Sequence, residues 1–236
     1  GTTVETVGAA WVSFGSSASS QSVAVSISTA GTLNTIQVLT QGAPNLDFTQ
    51  ASGGTCTDGT AYNSGQGCTV NVSFTPKHPG TRMGAVLLED AGGNVLGITY
   101  IGGTGVVPQI AFGPGVQVPL TSSSQNPRGM AVDGAGNVYI ADANASAVLE
   151  VPWNGTSYGE EFTAFSVPYM GNNVVVDGAG NLYVTSSYGT LKYPRQASGF
   201  GSPITVSDQG LAVAVDSAGN VYLSTFTTIE EIPWTG

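Results

Sequence analysis

The sequence predicts an all-β protein, and three observations indicate this fold class. Apolar residues alternate with polar ones over short runs, as in residues 21–28 (QSVAVSIS), which is the two-residue period of a half-buried strand. Gly, Asn, Asp and Pro separate these runs, and long patterns of helical period are absent from the sequence. A stretch of eleven residues also recurs three times in the second half, which indicates an array of similar β units.

Residues 1–107 are predicted to form the first domain. Its predicted strands are short and mostly alternating, and they lie at residues 4–7, 10–14, 21–28, 33–39, 46–49, 68–76, 85–88 and 95–101. The last two are joined through a turn at residues 90–94 (DAGGN). Seven or so strands in about a hundred residues are typical of a β-sandwich.

Several short motifs of this first domain match a known pattern. They are DFT at 47–49, Cys56, CTVNVSFTP at 68–76, GTR at 80–82, AVLL at 85–88 and GGTG at 102–105. Together they resemble an immunoglobulin-like domain of large bacterial surface and secreted proteins, similar to the abnormal-spindle/major-sperm-protein group. The resemblance implies an extracellular or cell-surface, bacterial setting.

Cys56 and Cys68 are the two cysteines of the chain, and eleven residues rich in Gly, Ser, Thr and Asn lie between them. The residues alone leave two interpretations open, a disulfide that closes this loop or two reduced core cysteines. The resemblance to secreted domains favours the disulfide, which would stabilise the fold by about 3 kcal/mol in the chain-entropy model. A disulfide in turn implies an oxidising compartment.

The second predicted domain, residues 108–236, is organised around the repeated motif. The three copies are MAVDGAGNVYI at 130–140, VVVDGAGNLYV at 174–184 and VAVDSAGNVYL at 213–223. The apolar residues on both sides of each Asp-Gly/Ser-Ala-Gly-Asn run predict a hairpin, because Asp, Asn and Gly favour tight turns. A third apolar run follows each copy, so each unit has at least three strands. We therefore predict a structural role in the turns for Asp133, Asn137, Asp177, Asn181, Asp216 and Asn220.

Residues 126–142 (NPRGMAVDGAGNVYIAD) closely resemble the NHL repeat, a blade of β-propellers. The second and third copies depart from it, with Ser186 and Ser224-Thr225 in place of the final Asp, and all three lack the Arg that often follows. These departures leave the blade assignment in place but not an inherited binding role. The resemblance implies about three NHL-type blades after the immunoglobulin-like β-sandwich, an incomplete propeller, since rings usually have four to eight blades.

An incomplete propeller leaves two unpaired edges, which invite pairing with other chains. Three arrangements would satisfy them. In the first, the native chain continues beyond residue 236. In the second, two copies complete one ring. In the third, copies stack into a filament, because a heterologous contact that does not close gives a fibre. The chain begins at Gly1 rather than at Met, and we expect it to be processed from a longer precursor.

Composition excludes several classes of partner. The formal net charge is −10, with 5 Lys and Arg and no basic patch, which argues against nucleic acid and against anionic membrane surfaces. No run of apolar residues reaches the length of a membrane span. A surface poor in Lys and rich in Ser, Thr, Asn and Gly suits an extracellular or cell-surface location.

The sequence offers little catalytic chemistry. His78 is the single histidine and lies in a Pro-rich turn of the first domain, so neither a Ser-His-Asp arrangement nor a zinc site is expected. The repeated Asp and Asn residues raise a calcium hypothesis, but each turn offers too few oxygens alone. Three tyrosines repeat at the same position of the motif, Tyr139, Tyr183 and Tyr222. They are expected either to pack between neighbouring sheets or to form an aromatic binding surface.

The sequence therefore predicts a non-catalytic structural protein without a cofactor, secreted or held at the cell surface. We expect self-association through open sheet edges, as a filament or oligomer subunit. The alternative is a propeller module that binds a glycan or protein ligand as part of a longer secreted protein.

Overall fold

The computed structural model describes residues 12–16, 18–106, 119–121, 124 and 126–235. The predicted all-β class is confirmed: 56% of the described residues are in strands, and none of them is in a helix. None of them therefore forms a helix long and apolar enough to cross a membrane. The predicted strand at 4–7 and the predicted boundary between residues 107 and 108 lie outside the described residues.

The first region, residues 12–106, contains ten strands. They are β1 (Val12–Ser13), β2 (Ser19–Ser26), β3 (Gly31–Thr32), β4 (Thr35–Thr40), β5 (Ala43–Pro44), β6 (Phe48–Gly54), β7 (Ala61–Tyr62), β8 (Gly67–Phe74), β9 (Gly80–Glu89) and β10 (Val95–Gly105). One sheet has the order β1-β10-β9-β4-β5, a second has the order β2-β8-β6, and β3 pairs with β7. Only the β1–β10 pairing is parallel within this region.

The two larger sheets of the first region enclose one apolar core. Strand β8 alternates strictly, with Cys68, Val70, Val72 and Phe74 buried and the residues between them more accessible. Phe74 stacks on Phe48 with ring centroids 4.7 Å apart. The predicted disulfide is confirmed, since Cys56 and Cys68 are joined by an S–S bond of 2.07 Å beside this core.

The repeated motif builds three further antiparallel sheets. Their strands are β11 (Pro127–Val132), β12 (Val138–Asp142), β13 (Ala147–Val151), β14 (Phe162–Ser166), β15 (Met170–Val176), β16 (Leu182–Ser186), β17 (Gly189–Tyr193), β18 (Arg195–Gln196), β19 (Gly199–Phe200), β20 (Ile204–Ser207), β21 (Ala212–Val215), β22 (Val221–Ser224) and β23 (Ile229–Ile232). The three repeat sheets have the orders β11-β12-β13-β14, β15-β16-β17-β20 and β21-β22-β23, and β18 pairs with β19.

The three repeat sheets pack face against face in chain order. Tyr139 and Val148 of the first sheet meet Val174 and Val176 of the second in one apolar cluster. Tyr183 of the second sheet packs in another with Val213 and other apolar residues of the third. The strands that begin the sheets, β11, β15 and β21, lie side by side. The sheets do not close into a ring in the part of the chain that the structure describes.

Candidate functional site: repeat turns, open sheet face and end cleft

Each repeat turn is held by the same hydrogen bonds to its aspartate. One oxygen of Asp133 accepts hydrogen bonds from the backbone N–H groups of Ala135 and Asn137, each at 2.9 Å. The other oxygen accepts the Asn137 amide at 2.8 Å and the Tyr139 hydroxyl at 3.1 Å. The same set recurs in the other turns with Asp177, Asn181 and Tyr183, and with Asp216, Asn220 and Tyr222. Four donors use most of a carboxylate's acceptor capacity, so a calcium ion would have to displace them.

The asparagine of each turn also ties the turn to the end of the third strand. The side-chain oxygen of Asn137 accepts the backbone N–H of Trp153 at 2.8 Å. Asn181 and Asn220 do the same for Arg195 and Trp234, each at 2.9 Å. An asparagine both donates to the aspartate and accepts from the third strand, which an aspartate could not do because it lacks the N–H donor.

A fourth turn of this chemistry closes the β9–β10 hairpin. Asp90 accepts the backbone N–H groups of Gly92 and Asn94 at 2.8 and 2.9 Å, and the Asn94 amide at 2.9 Å. The hydrogen bond from Asn94 lowers the pKa of Asp90. The DAGGN run therefore forms the same Asp–Asn turn outside the repeats.

The repeat turns dock on the outer face of the five-stranded sheet. Leu39, Ala85, Leu87 and Tyr100 of that face are buried against Ala179 of the second turn. The Tyr100 hydroxyl donates to Asp177 at 2.8 Å, and its ring meets Trp234 edge to face at 5.2 Å. Burial first, and then the Asp177 charge, raises the pKa of Tyr100 well above its ordinary value.

The residue after each turn aspartate is small, which allows the turn to approach the five-stranded sheet closely. Gly134 donates its N–H to the Gln41 carbonyl, and the Gly178 carbonyl accepts the N–H of Gly42, both at 3.1 Å. A Cβ on Gly134 or Gly178 would collide with backbone of the first region. The third turn has Ser217 instead, and the residue it faces is Gly102, so the side chain is accommodated there.

In the part of the chain that the structure describes, no sheet packs on one face of the third repeat sheet. Val148 and Thr190 hold equivalent positions in the first two sheets, and both are fully buried, whereas the equivalent Ile229 is 82% exposed. We call this surface the open face; it comprises Ala212, Ala214, Tyr222, Ser224, Ile229 and Glu231, which share one side of the sheet. Tyr222 is partly exposed, whereas Tyr139 and Tyr183 are buried between sheets.

The first repeat sheet is partly uncovered at the opposite end of the array. Met130 and Val132 of β11 are 72% and 48% exposed. Their equivalents in the second sheet, Val174 and Val176, are buried against the first sheet. Val138, Ile140, Leu149 and Val151 share that side of the first sheet and are buried. The first sheet therefore exposes only the β11 edge of its aliphatic face, whereas the third sheet exposes its tyrosine-bearing face.

A polar cleft of about 550 Å³ lies at the ends of the repeat strands that are remote from the Asp turns. It is lined by the β16–β17 turn, the segment between β20 and β21, the β22–β23 turn and single residues of β11 and β15. Phe226, on its rim, is 90% exposed. This cleft could not be predicted from the sequence, because the residues that line it share no motif.

The remaining residues considered from sequence are not gathered into a site. His78 is exposed in the bend before β9. Among the described residues, no group of three His, Cys, Asp or Glu side chains could hold a metal ion. Asp47 and Arg82, which carry part of the immunoglobulin-like resemblance, form an ion pair at 2.6 Å with Asp47 fully buried, which is a structural arrangement within the first region. Comparison with known protein families and with curated proteins found no match to the chain.

Proposed function

We propose that this chain is a non-catalytic structural protein of the cell exterior that self-associates through the ends of its repeat array. In this proposal the first region is an immunoglobulin-like sandwich, and the repeat sheets are blades of an incomplete NHL-type β-propeller. The antiparallel sheets of four, four and three strands, their neighbouring first strands and the recurrent turn network support the blade assignment.

The exposure of Ile229 carries the proposal. This β-branched apolar side chain stands at a position that is fully buried in the two preceding sheets, and a partner that covered it would gain about 2 kcal/mol from its burial. Among the described residues the third sheet has three strands, and β23 pairs with β22 alone, so one of its two edges has no strand partner there. Such an edge is a template for pairing with another chain.

The occupant that best fits the open face is a second copy of this chain. Inside the array, a tyrosine-bearing face packs on an aliphatic face twice. The open face presents the tyrosine side, and Met130 and Val132 present part of the aliphatic side. Joining unlike surfaces is a heterologous contact, which gives a ring or a filament according to whether the rotation closes.

The disulfide supports the location at the cell exterior. Disulfides persist in oxidising compartments and are rare in the cytosol. Cys56 and Cys68 are both used in the bond, so the described residues hold no free thiol.

Light scattering followed by negative-stain microscopy tests the assembly. We expect dimers or polymers whose mass rises with protein concentration. Ile229→Lys and Met130→Lys should each shift the material towards monomer, because burying an unpaired charge costs several kcal/mol. Val95→Lys, at a strand residue of the first region that is 41% exposed, is the matched control and should leave the mass unchanged. A wild-type chain that stays monomeric at high concentration would refute the proposal.

A second candidate function is ligand binding by the propeller, to a glycan or a protein. The cleft at the ends of the repeat strands favours it, because concave sites with convergent polar groups are where ligands bind.

A further inference from the structure

The end cleft has the size of a ligand site. Its volume of about 550 Å³ falls within the roughly 300–1,000 Å³ of small-molecule sites. The cleft spans the ends of all three repeat sheets, from Arg128 of the first to Phe226 of the third. Because the Asp turns at the other ends of the strands dock on the first region, the cleft remains accessible when the two regions are packed together.

The polar lining of the cleft is close to neutral and offers unused hydrogen-bonding groups. Arg128 and Asp208 contribute one charge of each sign, and the Arg128 guanidinium donates to Asn172 at 2.6 Å. The Asp208 carboxylate and the Gln209 side-chain amide are exposed to solvent and make no hydrogen bond to the described part of the chain. Together they present two carboxylate acceptors, an amide acceptor and an amide donor pair to a ligand.

One exposed aromatic ring lines the cleft, and two more belong to residues next to its lining. Phe226 lines the cleft and is 90% exposed. Tyr169 and Tyr188, beside the lining residue Ser187, are 65% and 60% exposed and meet edge to face at 5.5 Å. Tyr169 is held at φ 51°, a conformation that non-glycine residues rarely adopt. A cluster of exposed rings at one end of the molecule marks a contact surface.

We propose that this cleft binds a neutral oligosaccharide of hexopyranose units. A pyranose ring has an apolar face of C–H groups, which stacks on aromatic rings, and a rim of hydroxyls, which exchange hydrogen bonds with carboxylates and amides. The balanced charges of the lining offer no attraction to an anionic sugar, and the net charge of −10 on the chain repels polyanions. The same charge disfavours nucleic acid, which could otherwise stack on the rings.

This inference deepens the second candidate function, ligand binding, and does not depend on self-association. The cleft residues are distinct from Ile229 and Met130, so substitutions can separate the two properties. Light scattering on every cleft variant reports whether assembly has changed.

Calorimetric titration with neutral hexasaccharides tests the proposal. The probes are the hexamers of β-1,4-glucan, α-1,4-glucan, β-1,3-glucan, β-1,4-mannan and β-1,4-xylan (a pentose comparison), and the anionic probe is hexagalacturonate. We expect saturable binding of at least one neutral hexose hexamer and weaker or no binding of hexagalacturonate. Phe226→Ala and Asp208→Asn should each weaken that binding by about tenfold, which corresponds to 1.4 kcal/mol.

Phe162→Ala is the matched control, because Phe162 is 51% exposed on β14 and does not line the cleft. It should leave the dissociation constant unchanged, and circular dichroism should show that all variants remain folded. Failure of every neutral hexose probe at millimolar concentration, tighter binding of hexagalacturonate or xylohexaose, or an effect of Phe162→Ala equal to that of Phe226→Ala would each overturn the proposal.

Discussion

Asp177 accepts hydrogen bonds from both regions of the chain. It is completely buried and accepts hydrogen bonds from two backbone N–H groups, the Asn181 amide and the hydroxyls of Tyr183 and Tyr100. A buried charge is costly unless it is hydrogen-bonded, and five donors meet that requirement. Asp133 makes the same turn but is partly exposed and has no counterpart of Tyr100.

The difference between these two aspartates predicts unequal costs of substitution. Asp177→Asn removes the charge and turns one acceptor into a donor that faces other donors. We expect a loss of about 3 kcal/mol of unfolding free energy for Asp177→Asn and about 1 kcal/mol for Asp133→Asn. Urea denaturation of both variants measures this difference, and equal losses would mean that burial and Tyr100 add nothing to the turn.

From the buried hydroxyl of Tyr100 we predict that the protein loses stability at alkaline pH. Burial and the Asp177 charge raise the pKa of Tyr100 well above 10, and burial likewise raises the pKa of Tyr183. The unfolded chain releases these protons near pH 10 while the folded chain keeps them. Their contribution is therefore complete below pH 10 and falls as the pH rises above it.

Tyr100→Phe should consequently be less stable than the wild type at pH 8 but should lose stability less steeply above pH 10. Urea denaturation across this range measures both slopes. Tyr188→Phe, which alters an exposed ring, is the control and should follow the wild type. If the unfolding free energy of Tyr100→Phe changed with pH in parallel with that of the wild type, Tyr100 would not be a source of the alkaline loss of stability.

At the scale of elements, the docking of a turn on a sheet depends on the absence of side chains. The second turn approaches β9 so closely that a Cβ on Gly178 would meet the backbone of Gly84. The third turn carries Ser217 because its partner position in β10 is Gly102. The departure from Gly in the third copy of the motif thus has a structural reason.

Gly178→Ala should destabilise the contact between the second turn and the five-stranded sheet. We expect the unfolding free energy to fall by about 2 kcal/mol, because neither the second turn nor β9 can move without disturbing the sheet to which it belongs. Gly67→Ala is the matched control, since its Cβ would meet its nearest neighbour at an ordinary 3.4 Å. That variant should stay within about 0.5 kcal/mol of the wild type in the same denaturation assay. Equal effects of the two substitutions would show that the close approach does not matter.

At the scale of the whole molecule, the first region covers one end of the repeat array. The Asp turns at that end dock on the outer face of its sheet, with the second turn buried there, and the opposite end holds the cleft. The lateral ends of the array expose Ile229 on one side and Met130 on the other. The molecule therefore presents two kinds of surface, lateral ones suited to self-association and a terminal one suited to a ligand.

Features that depend on residues close together in the chain could be predicted from the sequence. The alternation in β8 predicts its buried face, because side chains of a strand alternate between the two sides of a sheet. The Asp-x-x-Gly-Asn spacing predicts the turns, because their hydrogen bonds join residues two and four positions apart. The eleven-residue loop between Cys56 and Cys68, with the resemblance to secreted domains, predicts the disulfide.

Contacts between residues far apart in the chain could be identified only from the three-dimensional packing. The hydrogen bond from Tyr100 to Asp177 links residues 77 positions apart, and no local pattern encodes it. The cleft collects residues from three sheets, and their relation depends on how the sheets pack. The exposure of Ile229 is likewise invisible in the sequence, where an apolar residue in a strand predicts burial; its side chain is exposed because no sheet in the described chain covers that face.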